Sequence, residues 1–128
     1  MRFSHSFRVN ADDIDEQGHV NNVAYVRWVQ EVAIAHWNAA ADAETRGALS
    51  WMLTRHEIDY LKQAFEHDDV TATTWVGSAT RVTCERFTEM MRGDDVLVRA
   101  RSVWCLIDRS SLRPVRISGE MRLAFGMS

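Results

Sequence analysis

One segment of the sequence constrains the fold more than any other. From residue 23 to about residue 41 the chain contains neither glycine nor proline, and most of its residues are apolar. This segment predicts a helix of roughly five turns, about 30 Å long, with Asn21 or Asn22 as its N-cap. A narrow polar stripe interrupts it at Arg27, Gln30, Glu31 and Asn38. Because the stripe is narrow, we expect the rest of the chain to enclose most of the helix.

The residues from Trp51 onward follow a period of two, which predicts β-strands. Each of three strands is expected to present one set of side chains on a single face: Met52, Thr54, His56, Ile58 and Tyr60; Val82, Cys84, Arg86, Thr88 and Met90; and Val96, Val98, Ala100, Ser102, Trp104 and Leu106. Further strands are expected at residues 2–9, 71–78 and 115–125. The expected fold class is therefore α+β, with a curved antiparallel β-sheet wrapped around one long central α-helix.

The composition is that of a folded globular chain. Of its 128 residues 46% are hydrophobic and 26% are charged, with one proline and two cysteines. A chain of this length can bury a core without disulfides, so we expect a single domain over residues 1–128. We expect Cys84 and Cys105, which lie in apolar segments far from any metal-ligand spacing, to be buried and inert.

The charge pattern excludes some partners. The net charge is -3, and no block of basic residues occurs, which argues against a nucleic-acid partner. Of the 15 basic residues only Lys62 is a lysine. The sequence has no segment like a signal peptide and no run of the ~18 apolar residues that a membrane span needs. We therefore expect a cytoplasmic protein without a membrane partner.

The loop before the long helix carries the most chemistry. It reads Asp15-x-x-Gly18-His19-Val20-Asn21-Asn22-x-x-Tyr25. The first backbone N–H groups of a helix lack intrahelical partners, and with the positive end of the helix dipole they can stabilise an oxyanion formed on a carbonyl. Asp15 can attack the carbonyl carbon or deprotonate a water that does so. Gly18 allows a tight turn and the close approach of a substrate.

This motif before a long apolar helix resembles the hotdog-fold thioesterases of the 4-hydroxybenzoyl-CoA thioesterase type. The stretch Glu57-Ile58-Asp59-Tyr60-Leu61-Lys62 resembles that family's second strand, so the resemblance covers residues 2 to about 118. It implies an acyl-CoA thioesterase in which Asp15 is the nucleophile or general base. It also implies that the backbone amide of Asn22 polarises the thioester carbonyl.

The finer resemblance concerns a subgroup. His19, Asn21 and Tyr25 match thioesterases that carry His-Val-Asn-Asn, which include long-chain acyl-CoA thioesterases and are similar to plant acyl-ACP thioesterases. The plant enzymes use an Asn two residues after the Asp, where this chain has Gln17, and this difference favours the simpler carboxylate mechanism. The resemblance further implies that Arg81, between two strands, contacts the CoA phosphates, for which a guanidinium fork is suited.

The predicted site is therefore catalytic at Asp15, His19 and Asn22 and substrate-binding at Gly18, Asn21, Tyr25 and Arg81. No metal or other cofactor is expected, because the five histidines show no ligand spacing. Simpler roles remain open: a solvated acidic loop for Asp15, local loop bonds for His19 and Asn21, core packing for Tyr25, and a solvated hairpin for Arg81.

Two other functions also remain open. A hotdog hydratase or dehydratase acting on acyl-CoA or acyl-ACP needs a histidine with a carboxylate, often on the central helix, where this chain offers Glu31. A non-catalytic acyl-binding protein needs no reactive carboxylate.

A short sheet leaves exposed edges, so we expect a homodimer that shares its site between two copies. The resemblance implies a homotetramer.

Overall fold

The computed structural model describes all residues from Met1 to Ser128. Its elements, in chain order, are β1 (Phe3–Arg8), α1 (Asn22–Ala40), α2 (Ala43–Ala48), β2 (Leu49–Tyr60), β3 (Asp69–Ala79), β4 (Thr83–Arg92), β5 (Asp95–Asp108) and α3 (Gly119–Phe125). A 3-10 turn at Ala11–Asp13 follows β1. No helix is both long enough and apolar enough to cross a lipid bilayer.

The five strands form one antiparallel sheet in the order β1-β3-β4-β5-β2. The turn between β4 and β5 contains Gly93, which has a left-handed conformation. The sheet packs around α1, so the expected α+β hotdog architecture is confirmed. One of the two edge strands is β2, which has 12 residues and pairs only with β5.

Helix α1 has 19 residues and begins and ends within one residue of the predicted bounds. Asn21, not Asn22, is the N-cap, because its side chain accepts a hydrogen bond from the backbone N–H of Val23. Enclosure of the helix is incomplete. Val23 is 72% exposed and Ile34 is 54% exposed, so an apolar stripe beside the polar residues stays uncovered in the single chain.

The core consists of two hydrophobic clusters, one at each half of α1. The first surrounds the N-terminal half and includes Val9, Val20, Tyr25, Val29, Met90 and Leu97. The second surrounds the C-terminal half and includes Trp37, Val76, Cys84, Leu106, Ile117 and Phe125. Each half of α1 therefore packs in its own hydrophobic cluster, and the two clusters distinguish the two ends of the helix.

The predicted face of β2 is wrong over its first half. A register shift between Leu53 and Arg55 inserts a bulge into the strand. Before it Trp51 and Leu53 are partly buried while Met52 is exposed, and after it His56 and Ile58 are partly buried. A bulge adds one residue to the strand and so reverses the alternation, which a strict period of two cannot reveal. The predicted grouping of Cys84, Arg86, Thr88 and Met90 on one face of β4 is confirmed, and the structure shows that this face is the buried one.

The strand predicted at residues 115–125 is also wrong. Only Pro114 forms an isolated bridge, to Ile107, and Gly119–Phe125 is the helix α3. Ser118 caps α3 by accepting from the Met121 N–H, and Gly126 ends it in a left-handed conformation at φ 64°. Met121 and Phe125, four residues apart, are its buried residues. A spacing of four residues is typical of a helix, and Ser118 and Gly126 are residues that favour helix ends. The alternation of apolar residues in this segment does not reflect a strand.

Candidate active site

The loop that precedes α1 is a tight turn between residues 15 and 19. The Asp15 N–H donates to the His19 carbonyl at 3.0 Å, and the Gly18 N–H donates to the Asp15 carbonyl at 3.1 Å. Ile14 and Val20 form an antiparallel bridge across the base of the turn. Gly18 has a φ of +86°, a left-handed conformation that residues with a Cβ adopt only at a cost. The expected turning role of Gly18 is therefore observed.

The Asp15 carboxylate is half engaged and half free. Its Oδ1 accepts the Gln17 backbone N–H at 2.9 Å, while its Oδ2 makes no hydrogen bond within the chain. The side chain is 27% exposed. One oxygen therefore holds the turn, and the other is open to a reacting partner.

His19 lies beside that free oxygen. Its Nδ1 is 3.7 Å from Asp15 Oδ2, which is too long for a hydrogen bond. The same Nδ1 is buried and has no hydrogen-bond partner. A buried ring nitrogen without a partner is uncommon and costly, and the free Oδ2 of Asp15 is the acceptor that lies beside it.

Asp13 anchors the loop to α1 and is not part of a solvated acidic surface. It is 3% exposed, and its carboxylate accepts hydrogen bonds from the Arg27 guanidinium and from the Asn10 N–H. Its carbonyl accepts the Asn21 N–H at 2.8 Å. Arg27 also pairs with Glu31 at 3.3 Å. This pairing occupies Glu31, the helix acid that a hydratase would need.

The first turn of α1 presents one free backbone donor. The Val23 N–H bonds to Asn21 Oδ1 and the Ala24 N–H bonds to the Asn21 carbonyl, at 2.8 and 2.9 Å. The Asn22 N–H has no hydrogen-bond partner within the chain. It is therefore available, at the positive end of the helix dipole, to a carbonyl oxygen from outside. Asn21 has the structural capping role.

Tyr25 lies in the core. It is 1% exposed, and its hydroxyl accepts the Ala64 N–H at 3.0 Å. Its ring meets Trp28 and Tyr60 edge to face, and burial raises the pKa of its hydroxyl. Tyr25 also lines a small cavity of about 90 Å³ together with Tyr60 and Lys62, and the substrate contact expected for it stays a prediction.

Arg81 lies at the opposite end of the molecule from Asp15. Its carbonyl accepts the Ile117 N–H, and Ile117 belongs to the cluster around the C-terminal half of α1. Val20, beside the Asp15 turn, bonds instead to Ala64 at the N-terminal end of α1. A helix of this length separates the two ends by about 28 Å. One chain therefore does not bring Arg81 to the Asp15 loop.

A cavity of about 570 Å³ lies beside the C-terminal half of α1, and sequence reasoning missed it. Its lining includes Ile34, Trp37, Trp51, Leu53, Cys84, Arg86, Trp104 and Phe125. Burial raises the pKa of the Cys84 thiol to about 11, so it stays protonated at neutral pH and is a poor nucleophile. The signal available in the sequence was an arginine, Arg86, on the same strand face as Cys84 and Met90. The chain holds no group of three or more His, Cys, Asp or Glu side chains positioned for a metal ion.

Comparison with known proteins gives a family. Residues 1–125 match the family described as the acyl-ACP thioesterase N-terminal domain. The chain belongs to this acyl-ACP thioesterase family. The expectation of a thioesterase family is thus confirmed.

Sequence relatives of this family member extend beyond it. Uncharacterised proteins from two strains of Mycobacterium tuberculosis are 22% identical to it over 124 residues, which is 97% of this chain and 49% of theirs. The chain therefore spans about half the length of the curated relatives it matches.

Solved structures share the fold of this acyl-ACP thioesterase family member. The dynemicin thioesterase superposes with a TM-score of 0.89 at 16% identity, over 98% of this chain and 96% of that one. A 1,4-dihydroxy-2-naphthoyl-CoA thioesterase from Synechocystis gives 0.84 at 15% identity, over 98% and 96%. A Staphylococcus aureus protein crystallised in complex with CoA gives 0.86 at 13% identity, over 98% and 82%. At these identities the likeness establishes the hotdog fold.

Proposed function

We propose that this protein hydrolyses the thioester of an acyl-CoA to a free acid and CoASH. The observation that carries the proposal is the unpaired Asn22 N–H at the start of α1, next to a turn whose Asp15 carboxylate has one free oxygen. An electrophile-polarising donor and a nucleophile or base at the same helix terminus are the two groups that acyl transfer needs. Membership of an acyl thioesterase family supports the same reaction.

Asp15 acts in one of two ways. As a nucleophile it attacks the thioester carbon, the C–S bond breaks, and water hydrolyses the resulting acyl-aspartyl anhydride. As a general base it takes a proton from water, the hydroxide attacks, and the departing thiolate receives the proton. In both cases the Asn22 N–H and the helix dipole stabilise the oxyanion, a contribution of about 3 kcal/mol for one such donor. His19 positions the carboxylate by closing onto Asp15 Oδ2.

The proposed carrier of the acyl group is coenzyme A. A fold relative crystallised with CoA and another that is a CoA thioesterase support this carrier. The family description favours acyl carrier protein as the second candidate. Thiol release measured in parallel from one acyl group on CoA and on acyl carrier protein decides between the two, since the preferred carrier gives the higher kcat/KM.

The proposed assembly is a homodimer formed by the free edge of β2, with a homotetramer as its further association. Strand β2 runs from Leu49, packed in the cluster at the C-terminal end of α1, to Tyr60, which contacts Tyr25 at the other end. Two β2 edges that pair antiparallel about a two-fold axis set the Tyr60 end of one copy against the Leu49 end of the other. The Asp15 loop of one copy then approaches the Arg81 end of its partner.

The test is thiol release from acyl-CoA by Asp15 variants. Asp15→Asn keeps an oxygen that can accept the Gln17 N–H, so the turn survives while the charge is lost. We expect kcat/KM to fall at least ~100-fold in Asp15→Asn and in Asp15→Ala. Glu16→Gln, which neutralises the adjacent exposed carboxylate, is the matched control and should retain wild-type activity.

The alternatives make different predictions in the same assay. Unchanged thiol release in Asp15→Asn contradicts the proposed mechanism. A change in enoyl absorbance without thiol release indicates a hydratase or dehydratase. Acyl-CoA binding without either reaction indicates a non-catalytic acyl-binding protein.

A further inference from the structure

The cavity beside the C-terminal half of α1 contains a buried arginine with free donors. Arg86 is 7% exposed, and its Nη1 contacts His36 Nδ1 and Thr74 Oγ1, each at 3.0 Å. Its Nε and Nη2 have no acceptor within the chain. A guanidinium carries five N–H donors, so more than half of this one remains unused on a side chain that lines the cavity.

No carboxylate compensates the charge of Arg86. Burial lowers the pKa of its guanidinium to about 10, so it is still protonated at neutral pH. Its neighbour His36 has a pKa lowered to about 4, mainly by burial, so the imidazole is neutral and adds no charge. No Asp or Glu lines the cavity, whereas Arg46 and Arg109 line it as well and form no ion pair. A buried cation normally has an anionic partner, and none comes from this chain.

A second orphaned donor lies next to Arg86. The indole Nε1 of Trp104 is buried and has no hydrogen-bond partner. Trp104 is paired across the sheet with Cys84, and Arg86 is paired with Ser102, so Trp104 and Arg86 are diagonal neighbours on the inner face. The register places the two side chains side by side on the inner face, and the free Nε and Nη2 of Arg86 suit an acceptor group with two oxygens.

The remainder of the cavity is apolar and aromatic. Trp37, Trp51 and Phe125 line it together with Leu53. A volume of about 570 Å³ is within the usual range for a small-molecule site. Most of the lining therefore suits an apolar body, and Arg86 is the buried cation that can receive a charge.

We propose that this cavity binds a carboxylate borne on an aromatic or other bulky apolar body, held by the free Arg86 donors and the Trp104 indole N–H. The carboxylate has two sources that share this chemistry, the free acid left by hydrolysis and a second carboxylate at the far end of the acyl group. Because the cavity lies about one helix length from Asp15 of the same chain, the second source requires the Asp15 loop of the partner copy in the proposed dimer. The assignment of a source rests on the proposed function, but the binding itself does not.

The binding test compares 2-naphthoate with 2-naphthamide, its uncharged isostere, by titration calorimetry on the full chain. We expect the wild-type protein to bind the carboxylate at least ~10-fold more tightly than the amide, because a charge-assisted bond to Arg86 is lost in the amide. Arg86→Met should abolish this preference. Equal affinity of the wild-type protein for the two ligands overturns the proposal.

Two further variants keep the test valid if Arg86→Met fails to fold. Trp104→Phe keeps a smaller aromatic ring and removes the indole N–H, so the variant should fold with a lower melting temperature from the lost packing, while its affinity for 2-naphthoate falls ~3- to 10-fold. Ala33→Phe fills the cavity from α1 and should abolish binding of both ligands. Wild-type affinity for 2-naphthoate in Trp104→Phe and in Ala33→Phe overturns the proposal.

Turnover distinguishes the two sources. If the acyl group carries the carboxylate, kcat/KM is higher for adipoyl-CoA than for hexanoyl-CoA, and Arg86→Met removes the difference. If the released acid is the ligand, the two substrates are equivalent and 2-naphthoate inhibits hydrolysis competitively. If the assay shows neither the preference for adipoyl-CoA nor the inhibition by 2-naphthoate, the proposal is overturned. Absence of thiol release from every acyl thioester overturns the proposed function instead and leaves the calorimetric preference intact.

Discussion

At the scale of single residues, two carboxylates two positions apart have opposite environments. Asp13 is buried and bonded to Arg27 and the Asn10 N–H, whereas Asp15 is partly exposed with one free oxygen. The same side chain is a structural anchor in one case and a candidate reactive group in the other. The difference arises from what packs against each carboxylate and not from the local run of acidic residues.

The anchoring role of Asp13 predicts a loss of stability when its side chain is removed. Asp13→Ala leaves the Asn10 N–H without its acceptor and the partly exposed Arg27 with Glu31 alone, so we expect a loss of about 2 kcal/mol in the free energy of unfolding. Urea denaturation measures it. Asp12→Ala, at an exposed neighbouring position, is the control and should change stability by less than about 0.5 kcal/mol. Equal stabilities of the two variants contradict the anchoring role.

At the scale of elements, α1 links the two halves of the molecule. Its first turn presents the Asn22 N–H, and its C-terminal half walls the cavity and joins β4 through His36 and Arg86. His36 also stacks on Phe3 of β1 and meets Phe125 of α3 edge to face. One neutral imidazole therefore contacts three other elements, and its protonation would place a second charge beside Arg86.

The environment of His36 predicts a pH-dependent stability. Its pKa is about 4 in the folded chain against 6.5 ordinarily, so folding favours the neutral form. The stabilisation is complete above pH 6.5 and is lost as the pH falls from 6.5 to 4, by up to about 3 kcal/mol. Urea denaturation between pH 7 and 4 measures this loss. His36→Gln retains an acceptor for Arg86 but does not titrate, so its stability should fall less over the same range. Parallel profiles for the two proteins contradict the assignment to His36.

At the scale of the whole molecule, the two groups of residues predicted to form the site lie at opposite ends of α1. The Asp15 loop and the Arg81 turn are separated by the length of the helix, and the cavity is at the Arg81 end. The long edge of β2 and the exposed apolar stripe at Val23 and Ile34 are uncovered. A second copy paired through β2 accounts for the uncovered edge and for the separation of Asp15 from Arg81. It covers the edge, and it brings the Asp15 end of one copy to the Arg81 end of the other.

The proposed assembly predicts a weaker dimer when the β2 edge is charged. Met52 and Thr54 are exposed near the middle of β2, so Met52→Glu combined with Thr54→Glu sets like charges opposite each other across the two-fold axis. We expect sedimentation to give a dimer for the wild-type protein and a dimer dissociation constant at least ~10-fold higher for the variant. His5→Glu on the other edge strand is the control. A variant dimer of wild-type affinity contradicts pairing through β2.

The elements that sequence predicted well are those defined by local signals. The bounds of α1 followed from an apolar run without glycine or proline, and the two alternating sets of side chains on β4 followed from the period of two. The errors occurred where one residue changes the pattern. The bulge after Leu53 reverses the alternation of faces along β2. The segment predicted as the last strand forms the helix α3, capped by Ser118 and Gly126. Both depend on backbone geometry that hydropathy does not encode.

The sequence by itself determined the fold class, the long helix and the turn with Asp15, Gly18 and the first amides of α1. Those features depend on residues within a few positions of one another, where helix caps, glycine and periodicity act. Only the tertiary structure decided which carboxylate is buried, that Arg81 and Asp15 lie far apart in one chain, and that Arg86 lines a cavity without a counter-ion. These are relations between residues distant in sequence, and their energetics depend on burial, which arises only when the sheet packs around the helix.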